Sequence, residues 1–209
     1  MKSTHSLTRV YGDHSHVERV ELLSAIETEL GRSGIVVVGA PYGYGKSTLL
    51  RDYARVLHAH APSRPIVRVD LGLPAIRERI EREGRPGADR SASGPNGERT
   101  YRSTVAQIAW ERACDEAPEW VRAVQTASVV TLGEADMPFM AIDDLPAMEE
   151  GELELFADAV RLWVRSGLQV VVASVPSASP AASQFSDVLH ITSSMMSVSP
   201  DEIDRKSVV

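Results

Sequence analysis

Cysteine is all but absent. Cys114 is the single thiol in 209 residues, so no disulfide can form within the chain. It lies in "IAWERACDEA", an amphipathic helical pattern, and a buried structural thiol is expected there. Long apolar runs are missing too; none approaches the roughly 20 residues that cross a bilayer. The opening stretch "MKSTHSLTRVYGDHSHVERV" lacks the apolar core of a signal peptide. The expected location is therefore cytoplasmic, with no membrane partner. Basic charge is scarce: 22 Lys and Arg stand against 29 Asp and Glu, a net charge of −7. Contact with a nucleic-acid backbone needs clustered cations, so direct nucleic-acid binding by this segment is not expected. His14 and His16, like His58 and His60, are two apart, which points them to different helix faces and makes them poor paired metal ligands.

What is present is a regular alternation. Residues 17–30 carry apolar side chains at helical spacing, with Gly31 and Gly34 expected to end the helix. "IVVVG" (35–39) is short, apolar and β-branched, as suits a strand buried on both faces. Leu49, Leu50, Tyr53, Val56 and Leu57 mark one face of a second helix. Strands are expected at 64–72, 138–144, 168–175 and 187–193. Helices are expected on both sides of Pro118 and over 152–167, where Leu153, Phe156, Val160 and Trp163/Val164 form the apolar face. "AIRERIERE", after Pro74, reads as a charge-laced, solvated helix face. Trp110, Trp120 and Trp163 read as core. Residues 85–99, rich in Gly, Pro and Ser, read as a flexible loop. Strands alternating with helices imply a parallel sheet covered on both faces, with ligands at the carboxyl ends of the strands.

Two features fall at those ends. "APYGYGKS" (40–47) matches G-x-x-x-x-G-K-[ST] with alanine in first place, and it stands between a strand and a helix. Such a loop cradles phosphate. Gly43 and Gly45 permit positive φ, and the helix that follows turns its positive end to the anion. Lys46 would reach the β- and γ-phosphates and Ser47 would ligate Mg²⁺. The nucleotide-binding set is Ala40, Pro41, Tyr42, Gly43, Tyr44, Gly45, Lys46, Ser47 and Thr48. The second feature is "FMAIDD", a strand ending in two acids. Asp143 is the candidate metal carboxylate, opposite Ser47. Asp144 would position or deprotonate an attacking water, which makes Lys46 and Asp144 the catalytic candidates. The fold expected is α/β: a three-layer P-loop NTPase core with a five-stranded, mostly parallel sheet flanked by helices.

"IVVVGAPYGYGKSTLLRDYA", "MAIDDLPAM" and "LQVVVAS" together resemble the nucleotide-binding domain of STAND ATPases, signal-transduction ATPases with numerous domains. The likeness is to large ATP-dependent LuxR-type regulators such as the maltose-regulon activator, and it spans roughly residues 15 to 203. It implies an ATP/ADP switch that uses Mg²⁺. It also carries over Arg19, with Leu22 and Leu23, as a lead-in residue near the adenine. Two departures matter. Val175 stands where the family often has an arginine that senses the γ-phosphate, so hydrolysis or sensing is expected to be impaired. The family's downstream domains are also missing. "SPDEI" (199–203) reads as a capped helix start that stops after barely two turns. The expected layout is a tail and lead-in helix (1–33), the core (34–198) and the start of a truncated helix (199–209).

Three functions fit these residues. The first is an ATP-binding regulatory switch with slow Mg²⁺-dependent hydrolysis, a protein partner or missing C-terminal domains, and nucleotide-dependent oligomerisation. The second is a small-molecule or nucleotide kinase that uses the arginines and loop of residues 77–102. The third is a nucleotide-stabilised interaction module that hydrolyses nothing.

Overall fold

The computed structural model describes residues 19–83, 103–125, 137–175, 184, 185 and 187–197. Five strands form one sheet: β1 (Ile35–Gly39), β2 (Ile66–Asp70), β3 (Phe139–Leu145), β4 (Gln169–Ser174) and β5 (Leu189–Thr192). Their order is β2-β3-β4-β1-β5. Every pairing is parallel, where the sequence had implied only a mostly parallel sheet. All carboxyl ends therefore lie along one crest.

Side chains alternate across a strand, and here each alternation divides one strand between two cores. Ile35, Val37, Met140, Ile142, Val170 and Val172 face one side. Val36, Val38, Phe139, Ala141, Val171 and Ala173 face the other. Helices α4 (Thr104–Glu116), α5 (Pro118–Gln125) and α6 (Glu150–Arg165) cover the first face. Helices α1 (Val20–Ser33) and α2 (Lys46–His60) cover the second. This is the three-layer P-loop architecture expected from the strand–loop–helix pattern. Two short helices complete the described chain, α3 (Pro74–Glu83) and α7 (Ser193–Met196).

The tryptophans are core, as expected. Trp163 is fully buried and stacks on Trp110 with ring centroids 6.4 Å apart. Trp110 also meets Trp120 edge to face at 5.7 Å, and the Trp120 indole N–H donates to the Ser166 carbonyl at 2.9 Å. The three rings tie α4, α5 and α6 together.

Three local expectations are corrected. The first helix begins at Val20 and runs through Gly31; only Gly34 ends it, with φ 75° and its N–H on the Leu30 carbonyl. Gly31 is tolerated because the burial of Leu22, Leu23, Ile26 and Leu30 outweighs its propensity cost of about 1 kcal/mol. Cys114 is exposed, not buried. It lies one step, about 100°, around α4 from buried Ala113, and that step carries it off the core face. The charged face of α3 is not simply solvated. Ile76 and Ile80 pack on the core, and Arg79 is bound by Glu83 on its own helix and by Glu111 on α4. The segments 85–99 and 199–209 lie outside the described residues. Among the described residues no helix is long and apolar enough to cross a membrane.

Two stability tests follow from this packing. Trp163→Ala should cost about 3–5 kcal/mol, read from urea unfolding midpoints. The second concerns Glu111, whose carboxyl is held below the ordinary carboxylate range by the Arg79 guanidinium. Its contribution is therefore complete above that ordinary range and fades as pH falls through the depressed value. Arg79→Met should lower stability by about 0.5–1 kcal/mol at pH 7. The difference from the unaltered protein should shrink towards pH 3 in paired denaturation curves.

Candidate functional site

β1 ends at Gly39, and six residues lead from it to Lys46, the first residue of α2. The turn works because Gly43 and Gly45 take φ of 84° and 79°, values that carry little cost only without a Cβ. Gly45 is the N-cap of α2, and its carbonyl accepts the first helical bond from Leu49 at 2.9 Å. The first-turn N–H groups of a helix have no acceptor within it, and the helix dipole is positive there. The loop therefore offers an anion site before any side chain is counted.

Lys46 is only 7% exposed. Its ammonium donates back to the loop, to the Ala40 carbonyl at 2.7 Å and the Pro41 carbonyl at 3.0 Å. The Tyr42 ring stands 5.3 Å from the same nitrogen. Ala40 is buried, and its N–H reaches the Ser174 carbonyl on β4. Tyr42 and Tyr44 are exposed. Ser47 is exposed, and Thr48 is half-buried. Arg19, at the N-cap of α1, lies behind the loop. It donates to the Tyr44 carbonyl at 3.2 Å, and its guanidinium would stand 3.4 Å from any Cβ at Gly45.

The acids arrive from β3. Neighbouring strands are about 4.8 Å apart, and β4 alone separates β1 from β3. The loop and the acid pair thus face each other across about 10 Å, with the buried Ser174 at the end of β4 between them. Ser47 and Asp143 line one open cleft of about 650 Å³. Hydroxyl and carboxylate oxygens are the donors Mg²⁺ prefers, so this pair fits the ion.

Asp144 stands apart. Three steps along β3, from Ile142 to Leu145, match two along β4, from Val172 to Ser174. The extra residue is a β-bulge. At Asp144 the backbone takes φ 56°, the single positive φ outside glycine among the described residues. Its N–H bonds the Asp143 carboxylate at 2.9 Å. Its own carboxylate accepts from Arg77 in the first turn of α3. The structure therefore brings Ser47 and Asp143 to one cleft, keeps Lys46 on the loop carbonyls and turns Asp144 toward α3.

Sequence reasoning missed Gly72 and Ser174, and it placed Arg77 on a solvated helix face or among the arginines of a kinase lid. α3 starts four residues after β2 ends, so its first turn must lie at the crest, and that spacing was available as a signal for Arg77. Ser174 is the one polar residue closing "VVVAS", a second such signal. Gly72 had none: a Cβ there would stand 2.5 Å from the Asp144 carboxylate and 3.2 Å from that of Asp70, a contact between separate strand ends.

No protein-family model matches the chain, and neither does any curated protein. Among solved structures it is similar to C. elegans PCH-2, with a TM-score of 0.48 and 12% identity over 83% of this chain and 42% of that one. It is similar to Cdc6p from Pyrobaculum aerophilum, with a TM-score of 0.47 and 12% identity over 89% and 48%. It is also similar to Pif1 helicase from Candida albicans, with a TM-score of 0.43 and 13% identity over 87% and 40%. The alignment spans less than half the length of each of these proteins.

Gly72→Ala tests the crest. It should push the Asp144 carboxylate off Arg77 while changing stability by less than about 1 kcal/mol. Denaturation gives the second quantity, and the Arg77 guanidinium NMR signal gives the first.

Proposed function

We propose that this chain is an ATP-binding switch domain with slow, Mg²⁺-dependent hydrolysis, working within a signalling or transcriptional regulator. One observation carries the reading: Lys46 opens a helix behind two positive-φ glycines, opposite a strand end that brings Asp143 to the cleft of Ser47. The loop amides and Lys46 hold the phosphates. Ser47 and Asp143 hold Mg²⁺, which when bound offsets charge on the β- and γ-phosphates. Asp144 positions the attacking water once it is released from Arg77. Arg19 braces the loop from behind through the Tyr44 carbonyl, on the side where the family resemblance puts adenine. Val175 supplies no cation at the end of β4, which accords with slow turnover. The regulatory role, the protein partner and nucleotide-dependent oligomerisation rest on the resemblance to STAND ATPases.

A kinase is the second reading. The cleft runs from Ser47 and Asp143 along the free edge of β2, past Arg68, Arg79 and Arg112, and has room for a small acceptor. The charges there are already matched, Arg79 to Glu111 and Arg112 to Glu116, so the switch is favoured.

Thermal unfolding with ATP, ADP and GTP, with and without Mg²⁺, tests the reading. ATP with Mg²⁺ at a hundredfold excess over its Kd should stabilise the protein by about 2.7 kcal/mol. Lys46→Ala should abolish that gain. Phosphate release that needs only water supports the switch, and transfer to a hydroxyl acceptor supports the kinase. Binding without release over hours leaves the interaction module. No nucleotide-dependent shift in the unaltered protein refutes all three.

A further inference from the structure

Both charged groups assigned to phosphate chemistry have partners within the chain. Lys46 is held by the Ala40 and Pro41 carbonyls, and Asp144 is held by Arg77. The second pairing is the unusual one. It joins a helix after β2 to a bulged, left-handed residue of β3, and it forms at the crest, one residue along from Asp143.

Arg77 differs from its neighbours on α3. Arg79 is clamped by Glu83 and Glu111 and is 29% exposed. Arg77 is 47% exposed and has one carboxylate partner, a pairing that is weak in water. The Tyr42 hydroxyl, then the Asp144 carboxylate, hold its pKa above the ordinary range. Tyr42 in turn stands over Lys46. Two contacts thus stand near the loop and the crest, Tyr42 against Lys46 and Arg77 against Asp144. Of the other cations near the loop, Arg19 donates from one terminal nitrogen to the Tyr44 carbonyl, while the other is buried without a partner.

Resting on the nucleotide-site reading above, we propose that Arg77 is the γ-phosphate ligand of this chain, supplied in cis. In the structure Asp144 holds it. A bound triphosphate offers more charge and more acceptor oxygens than one carboxylate, so the guanidinium transfers to it. The same movement releases Asp144 to face the attacking water. Sensing of the terminal phosphate and readiness of the acid thus become one event, and no bond is made or broken in the transfer. ADP lacks the terminal phosphate and leaves the Arg77–Asp144 pair closed.

The test is the ratio of ATP to ADP affinity, measured by calorimetry with Mg²⁺ and a slowly hydrolysed ATP analogue. Arg77→Ala should weaken analogue binding about tenfold and leave ADP within about twofold. Arg77→Lys should recover part of the loss. Asp144→Asn keeps a residue suited to positive φ and removes the competing charge, so it should tighten analogue binding about threefold. That gain should vanish in the Arg77→Ala/Asp144→Asn double variant, since the two residues act as a unit. Equal weakening of both nucleotides by Arg77→Ala, an unchanged ratio, or a gain from Asp144→Asn that survives without Arg77 overturns the assignment. If the unaltered protein binds neither nucleotide, the nucleotide-site reading itself fails, and the Arg77 assignment falls with it. That outcome is told apart from the others by the unaltered protein alone.

Discussion

Parallel pairing of β1, β4 and β3 is the constraint on which the rest depends. It forces the carboxyl ends of all five strands to one crest. The glycine loop and the acid pair are about a hundred residues apart in the chain, yet they can only meet at that crest. The single strand between them sets the gap at about 10 Å, enough for a phosphate and a hydrated cation. Buried Ser174 and Ala40 keep the floor of that gap small. The sheet can bear this because its three central strands, β1, β3 and β4, are apolar on both faces and covered by helices on both sides, so their polar groups are confined to the ends.

The charged groups of the site are satisfied within the chain. A buried ammonium without partners would be costly, and Lys46 avoids that cost by donating to two loop carbonyls. Asp144 departs from ordinary strand geometry, and a φ of 56° in a non-glycine residue carries strain. The bulge, the Asp143 carboxylate on its N–H and the Arg77 pair hold it there together. Strain of this kind at the edge of a candidate phosphate site fits a residue with two positions, not one.

The two helical layers contribute differently. α1 and α2 bring the loop, and Arg19 and Lys46 sit at their N-terminal ends. α4, α5 and α6 bring mass: three packed indoles and the longest helix form a rigid backing for β3 and β4. α3 belongs to neither layer fully. It lies at the rim with its apolar residues only partly buried. That is where a part that shifts with ligand can sit without disturbing a core.

Residue patterns alone determined the layered fold, the strand and helix order along the chain, the glycine loop and the strand carrying the acids. Each is a local matter: β-branched runs, helical spacing, and glycines ahead of a lysine dictate backbone shape within a few residues. The faces of α2 and α6 were legible for the same reason, down to Tyr53 and Phe156. Tertiary structure decided what adjacent positions do. The exposure of Cys114 depends on its rotation about α4 relative to a neighbouring helix. The separation of Asp143 from Asp144 depends on a bulge whose register is set by β4. The Arg77 contact depends on how α3 folds back over the crest, and the need for glycine at position 72 depends on the carboxylate that arrives beside it. These are long-range coincidences in space, and a one-dimensional pattern carries no term for them.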